Sequence, residues 1–221
     1  EKQVDGVIII PSTNEGKNFQ ILRQAGIPVV LADRLVHNFE ANTVLVDNIN
    51  GAYSAIEHII NLGAKRIGFI GGKEISVAQE RYEGYKRALK DYNIPLDQDV
   101  IKFGDFHIDS GYQLMKELLS MKNPPQHLFI SNYYMHVGAV KYLIEKEVKT
   151  PFSIGISSFD DMHLSALLGH ASVTVSQPII EIGETAARLL LKRIKEKGGS
   201  TTFQTTRLKT KLIYYQTGQK R

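Results

Sequence analysis

The sequence predicts an α/β fold built on doubly wound, mainly parallel sheets, and two observations lead there. Its short apolar runs, such as Val7–Ile10, Pro28–Ala32 and Ile67–Ile70, are continuous rather than alternating, as strands covered on both faces are. Amphipathic segments with helical periodicity separate them, and alternation of β and α elements is the mark of this architecture. No apolar run approaches the ~18 residues of a membrane span. With 221 residues, the chain is long for one small module and short for two full domains at ~100–200 residues each.

The elements follow in order. Val7–Ile10 is a strand stopped by Pro11; Pro28–Ala32 and Thr43–Val46 are the next two. Asp47 or Asn48 can cap a helix with Ala52, Ile56, Ile59 and Ile60 inward, which Gly63 ends. Ile67–Ile70 is a strand running into Gly71-Gly72. Gln79 to Tyr92 is a helix with Tyr82, Tyr85, Ala88, Leu89 and Tyr92 on one face. Asp109 or Ser110 caps a helix carrying Tyr112, Met115, Leu118 and Leu119. Leu128–Ile130 is a strand, and Met135 to Glu147 a helix with Val140, Leu143 and Ile144 inward. Ser153–Phe159 is a strand, and Ile179 to Lys197 a long helix closed by Gly198-Gly199. The tail alternates Arg207, Lys209 and Lys211 with Leu208, Thr210 and Leu212, the period of a half-exposed edge strand.

Composition excludes several chemistries. There are no cysteines, so disulfides, thiolate catalysis and cysteine-held metals are out. The seven histidines include no His-Glu-x-x-His and no pair at metal-ligand spacing, so no metal site and no cofactor are expected. Gly71-Gly72-Lys73 lacks the rest of a phosphate-binding loop, and no Gly-x-Ser-x-Gly elbow occurs. Asp160-Asp161 could be a metal or acid/base pair, but adjacent residues on an extended segment point opposite ways. An enzyme is not expected. Lys+Arg exceed Asp+Glu by 27 − 23 = 4, a mild basicity compatible with an anionic partner but not requiring one.

In open sheets of this kind ligands bind outside the carboxyl ends of the strands. The residues there are Ser12, Asp33-Arg34, Asp47-Asn48, the loop from Gly72 to Arg81, Phe106, Asn132 and Asp160-Asp161. Asp33, Arg81, Phe106, Asn132 and Asp160 supply what a sugar site uses. Carboxylates accept from hydroxyls, guanidinium donates, amides do both, and an aromatic face covers the apolar side of the ring. Each has an ordinary alternative: a turn cap for Asp33, a solvated helix face for Arg81, core for Phe106, a turn for Asn132, a loop cap for Asp160.

An ordered set of motifs is more specific. It comprises Val4 to Pro11, Gly26 to Arg34, Val46-Asp47-Asn48 with Gly51-Ala52, Leu62 to Gly72 and Glu80 to Leu89. Gly104-Asp105-Phe106 with Ser110-Gly111-Tyr112, Phe159-Asp160-Asp161, and Thr174 to Pro178 with Ile182-Gly183 complete it. Together they resemble the lactose-repressor/galactose-repressor (LacI/GalR) family of bacterial transcriptional regulators. The resemblance implies an effector-binding core of two doubly wound parallel-sheet subdomains, of the periplasmic binding protein-like type I. Residues 1–65 with 176–198 would form the first subdomain, and 66–175 with 199–221 the second. The chain would cross between them near Lys65, Val175 and Gly198.

By the same resemblance the effector sits in the cleft, with Arg81 as clamp and Phe106 as stacking aromatic. Asn132 and Asp160 are its polar contacts from the second subdomain, Asp33 and Gln177 lie nearer the first, and Ser12 is a further match. Tyr133 and Ser158 depart from the family's usual Asp and Gly. The implied partners are a sugar, sugar acid or sugar phosphate, operator DNA through a helix-turn-helix head, and a second copy in a homodimer, with no membrane and a cytoplasmic location. Arg34 and Lys73 near the site leave an anionic sugar open. The chain starts at Glu1 just before a strand, without that head and without the family's first core strand and helix, so the first subdomain is expected to be incomplete at its N-terminus through omission rather than reorganisation. A periplasmic sugar-binding protein of a transport system is the alternative of the same fold.

Overall fold

In the computed structural model, residues 4–148, 154–160, 172–196 and 202–215 are described. The chain divides into two compact units: Glu1–Asp47, Glu74–Val77 and Pro178–Lys209 form one, and Asn48–Lys73, Ala78–Gln177 and Thr210–Arg221 the other.

The first unit is built on a four-stranded parallel sheet of β1 (Val7–Ile9), β2 (Val29–Ala32), β3 (Asn42–Val46) and β9 (Thr205–Leu208), in that spatial order. Alternation along the strands sends residues to opposite faces. Val30, Val44 and Leu208 pack with Ala186 and Leu189 of α6 (Ile179–Lys195). Val29 and Leu31 pack on the other face with Phe39 and Ala41, flanked by Phe19 and Leu22 around the short α1 (Gln20–Gln24). β1 is hydrogen-bonded directly to β2, Val7 opposite Val29 and Ile9 opposite Leu31, so the described strands form a continuous sheet with no gap between them.

The second unit has six strands in the order β10-β8-β7-β6-β4-β5. These are β4 (Ile67–Gly72), β5 (Ile101–Gly104), β6 (His127–Ile130), β7 (Gly155–Phe159), β8 (Val173–Ser176) and β10 (Lys211–Tyr214). All are parallel to their neighbours except β10, which is antiparallel to β8. α2 (Asn48–Asn61) and α3 (Ser76–Asp91) cover one face, where Ala52, Ile56, Ile59, Tyr85 and Leu89 meet Phe69, Phe129, Phe159 and Val175. α4 (Ile108–Leu119) and α5 (Tyr133–Glu145) cover the other, where Met115, Leu118, Met135 and Leu143 meet Ile70, Leu128, Ile130 and Ile156. Each such fully buried aliphatic side chain is worth about 1.5–3 kcal/mol against exposure. The chain runs from β4 to β5 on one side and then to β6 on the other, so the strand order reverses at β4, the place where open α/β sheets leave a crevice.

Several expectations need correction. The helix after Val46 packs its apolar stripe into the second unit's core, so the boundary expected near Lys65 falls after Asp47. The alternating tail is two strands rather than one. β9 pairs parallel with β3 and β10 antiparallel with β8, and the chain changes sheets at Lys209–Thr210. Residues 205–208 thus belong to the first unit, not to a 199–221 segment of the second. α4 begins at Ile108 behind His107, whose side chain makes no cap, so neither Asp109 nor Ser110 caps it. Ile144, expected inward, is 51% exposed. β5 and β8 carry no sustained apolar run that would mark them in the sequence; Ile-Lys-Phe-Gly places a lysine and a glycine on an edge strand, a common way of blunting such an edge. The crossing near Gly198 and the helix end at Gly198-Gly199 lie outside the described residues.

One buried titratable group marks the second core. His127 opens β6 at 6% exposed, in space that Gly155 leaves free; a Cβ on Gly155 would lie 2.1 Å from the ring's Nδ1. Its Nε2 is 2.9 Å from Ser157 Oγ, which is 3.0 Å from Ser172 Oγ. Burial first, then the nearby His58, pushes its pKa down to about 3. The unfolded chain therefore binds a proton that the folded chain refuses. Stability due to His127 is complete above about pH 6.5 and declines as the pH falls toward 3, with a slope approaching about 1.4 kcal/mol per pH unit. Urea unfolding at pH 7, 5.5 and 4 is expected to show this decline, and His127→Gln is expected to flatten it.

Candidate functional site

At the carboxyl edge of the second sheet, each of the five parallel strands is followed by one candidate side chain. Arg81 comes from α3 after β4, Phe106 follows β5, Asn132 follows β6, Asp160 directly follows β7, and Gln177 directly follows β8.

Arg81 is the centre of a polar cluster and only 5% exposed. Its Nε donates to Asn48 Oδ1 at 2.9 Å, and its Nη1 donates to the Ser131 carbonyl at 2.7 Å and to Asp160 Oδ2 at 3.1 Å. The guanidinium lies over Phe159, its Cζ 3.7 Å from the ring centroid, a cation–π contact strengthened by desolvation. A buried guanidinium is tolerable because it is paired and hydrogen-bonded. Nη2 has no hydrogen-bond partner among the described residues. Asp160 is engaged on both oxygens, since Oδ1 accepts from Gln177 Nε2. Arg81, Asp160 and Gln177 are thus brought together.

Phe106 stands at φ 69°, a region bulky side chains rarely adopt. An Asx turn spans it: Asp105 Oδ1 accepts from the His107 amide at 3.0 Å. The Ser110 hydroxyl, and after it the His107 amide, hold the Asp105 carboxyl below its usual range. The half-buried ring lies against the backbone of Gly72, where an added Cβ would come within 1.8 Å of the ring's Cζ. The glycine at the end of β4 is therefore needed for the ring to sit where it does. Asn132 caps α5, its Oδ1 accepting from Met135 N at 3.1 Å, while Nδ2 has no partner among the described residues.

Two candidates belong to the first unit, at the ends of its own strands. Ser12 is exposed after β1, and Asp33 is half-buried after β2 at φ 71°. Asp160 has φ 72°, so Asp33, Phe106 and Asp160 are all non-glycine residues held left-handed at strand ends. Such strain of about 1–3 kcal/mol each clusters at ligand sites. Of the two cations that left an anionic ligand open, Arg34 is otherwise employed. Arg34 donates to the Pro11 carbonyl at 2.9 Å and pairs with Asp33 at 3.3 Å, and Lys73 Nζ lies 5.7 Å from the Phe103 ring centroid. Asp161 lies outside the described residues. Among those described, no three His, Asp or Glu side chains gather to hold a metal ion, and no helix is long and apolar enough to cross a membrane.

The sequence places Asn48 at a strand end and Glu80 and Phe159 within family-like motifs without marking a role for any of them, and it gives no sign of Ser131. Asn48 directly follows an apolar strand and starts a helix, and that signal could have found it. The other three act through contacts between segments distant in sequence.

The profile of the periplasmic binding protein-like domain family matches residues 56–217. This chain belongs to that family. Within it, the effector-binding cores of the LacI/GalR regulators are its counterparts. The chain is 31% identical to the HTH-type transcriptional repressor PurR of Actinobacillus pleuropneumoniae serotype 3 (strain JL03) over 196 residues, 88% of this chain and 58% of the repressor. It therefore spans less than two thirds of that relative's length. Two solved structures in the family are similar. The transcriptional regulator CelR–cellobiose complex has a TM-score of 0.86 and 29% identity, covering 97% of this chain and 66% of that one. A LacI family regulator from Enterococcus faecium with bound ribose has a TM-score of 0.85 and 28% identity, covering 95% and 78%.

Proposed function

We propose that the chain is the effector-sensing core of a bacterial transcriptional regulator, and that Arg81, Phe106, Asn132, Asp160 and Gln177 hold a small polyhydroxylated ligand at the carboxyl edge of the second sheet. The observation that carries this is the Arg81 guanidinium: buried, stacked on Phe159, tied on two nitrogens and open on the third. Ser12 and Asp33 are proposed as ligand contacts carried by the first unit. The cellobiose and ribose complexes of similar regulators support a sugar as the ligand class. Because Arg34 is engaged elsewhere and Arg81 is balanced by Asp160, a neutral sugar suits the site better than an acid or a phosphate.

Operator DNA, a second copy of the chain and a cytoplasmic setting are part of this proposal. Sugar would bias one of two arrangements, and sugar and operator affinities would change reciprocally. Regulation without turnover is favoured over catalysis, since the relatives are regulators and the site pairs its charged groups rather than aiming them.

Thermal unfolding of the chain with ribose, cellobiose, gluconate and ribose 5-phosphate tests this. A neutral sugar is expected to raise the midpoint in a concentration-dependent way. Gly72→Ala, which displaces the Phe106 ring, is expected to weaken that response about 3–10-fold, the value of one aromatic contact of about 0.5–1.5 kcal/mol. Stabilisation by the anionic compounds alone would overturn the neutral-sugar reading, and no response to any of the four would overturn a sugar effector.

A further inference from the structure

We propose that Asn48 and Glu80 are positioning residues for Arg81. Asn48 reads the charge of Glu80 and turns its carbonyl oxygen toward the guanidinium. Glu80 and Arg81 are consecutive on α3, and side chains one residue apart on a helix do not face each other. They are joined instead through a third side chain. Asn48 Nδ2 donates to Glu80 Oε2 at 2.9 Å, and Asn48 Oδ1 accepts from Arg81 Nε at 2.9 Å.

An amide can do this, because it carries a donor and an acceptor side by side. A guanidinium has donors alone and an ionised carboxylate acceptors alone, so a bridge between them must accept on one side and donate on the other. Glu80 thereby fixes which way the Asn48 amide faces. With Nδ2 committed to Glu80, Oδ1 meets Arg81; reversed, two donors would oppose each other. Asn48 is 1% exposed, so an unmatched amide there would not be rescued by solvent. Close packing of the two helices makes the bridge possible. A Cβ on Gly84 would lie 2.3 Å from the Ile49 carbonyl and 2.9 Å from the Ala52 Cβ, so glycine lets the first turn of α2 seat against α3.

The consequence lies at the far end of Arg81. With Nε held by Asn48 and Nη1 by Ser131 and Asp160, the planar group has no rotational freedom, and Nη2 is presented in one direction. Its value for ligand binding rests on the reading of Arg81 proposed above; the positioning itself does not.

The experiment measures hydrogen exchange of the Arg81 Nε–H by proton–nitrogen correlation spectra of the full chain, with thermal unfolding in ribose and cellobiose alongside. In the unsubstituted chain the Arg81 Nε–H is expected to exchange at least about tenfold more slowly than that of exposed Arg87, as a buried and bonded donor should. Asn48→Ala and Glu80→Ala are expected to erase that protection and weaken the sugar response. Near-isosteric substitutions supply the deciding comparison. Asn48→Asp alone sets a carboxylate against Glu80 and should lose protection. Glu80→Gln alone keeps an acceptor for Asn48 and should retain it. Asn48→Asp combined with Glu80→Gln rebuilds the bridge, Gln donating to Asp and Asp accepting from Arg81, and should restore both protection and sugar response.

Protection unaffected by Asn48→Ala would overturn the proposal, as would Asn48→Asp being equally damaging with either residue at position 80. Far-ultraviolet circular dichroism identifies any variant that fails to fold, and the near-isosteric set then decides. If the unsubstituted chain responds to no sugar, the effector reading falls while the exchange pattern still decides the positioning.

Discussion

Arg81→Ala is expected to abolish sugar-induced stabilisation and to cost the second unit about 3 kcal/mol. Removing one partner of a buried ion pair typically costs about 3–5 kcal/mol because the other charge is left uncompensated. The lower end applies here, since Asp160 keeps 20% of its side chain exposed and can rehydrate. The Ser131 carbonyl and Asn48 Oδ1 lose donors at the same time, and Phe159 loses the cation stacked on it. Arg81→Lys is expected to recover part of the stability and little of the sugar response. A single ammonium can meet Asp160, but it cannot also reproduce the planar set of donors to Asn48 and Ser131. Calorimetric titration with the best sugar and urea unfolding measure the two effects separately. Unchanged sugar affinity in Arg81→Ala would remove Arg81 from the site.

Gly138→Ala should be about as damaging although it adds one methyl group and touches no functional residue. The Cβ would lie 1.8 Å from the Ile108 carbonyl oxygen and 2.8 Å from the Tyr112 nitrogen, all across the α4–α5 contact. Gly111 forms the reciprocal half, where a Cβ would lie 2.1 Å from the Met135 carbonyl oxygen. These neighbours are backbone atoms of regular helices and cannot turn aside as a side chain could. The helices must separate, which opens the core around Met115, Leu118, Met135 and Leu143. Overpacking costs about 1–3 kcal/mol where side chains can adjust; about 3 kcal/mol or more is expected here. Gly183→Ala, also in a helix, is the control. Nothing lies within 4 Å of its Cβ position, so alanine should raise stability by about 0.5–1 kcal/mol through chain entropy alone. Urea midpoints of the two variants should move in opposite directions, and equal shifts would contradict the close helix crossing.

The opposite signs expected at Gly138 and Gly183 show what a sequence conceals. Both are glycines inside amphipathic helical patterns, and neither spacing nor composition tells them apart. The same holds at the site. Arg81, Asn132 and Asp160 could be named as candidates in advance because the apolar runs before them mark strand ends, and ligands bind at strand ends; Gln177 follows a strand with no such run and is named only by the family resemblance. Phe159 is hidden inside such a run, Ser131 contributes only its carbonyl, and Glu80 matters only through Asn48. The carbonyl and the bridge exist because the turn after β6 and helix α2 converge on α3.

By itself the sequence determined the fold class, the order of most elements, the family resemblance and the edge of the sheet where a ligand would sit. Those depend on local chemistry: continuous apolar runs bury on two faces and helical stripes on one. Only the tertiary structure decided that α2 belongs with the second unit, that the tail splits between two sheets at Lys209–Thr210, and that β5 and β8 are strands. It also decided that Arg81 is locked through Asn48 while Arg34 is spent on Pro11 and Asp33. The reason is the same throughout. Partner choice among elements and polar groups is set by long-range packing, where an amide, a carbonyl or a missing methyl group acquires meaning from a neighbour tens of residues away.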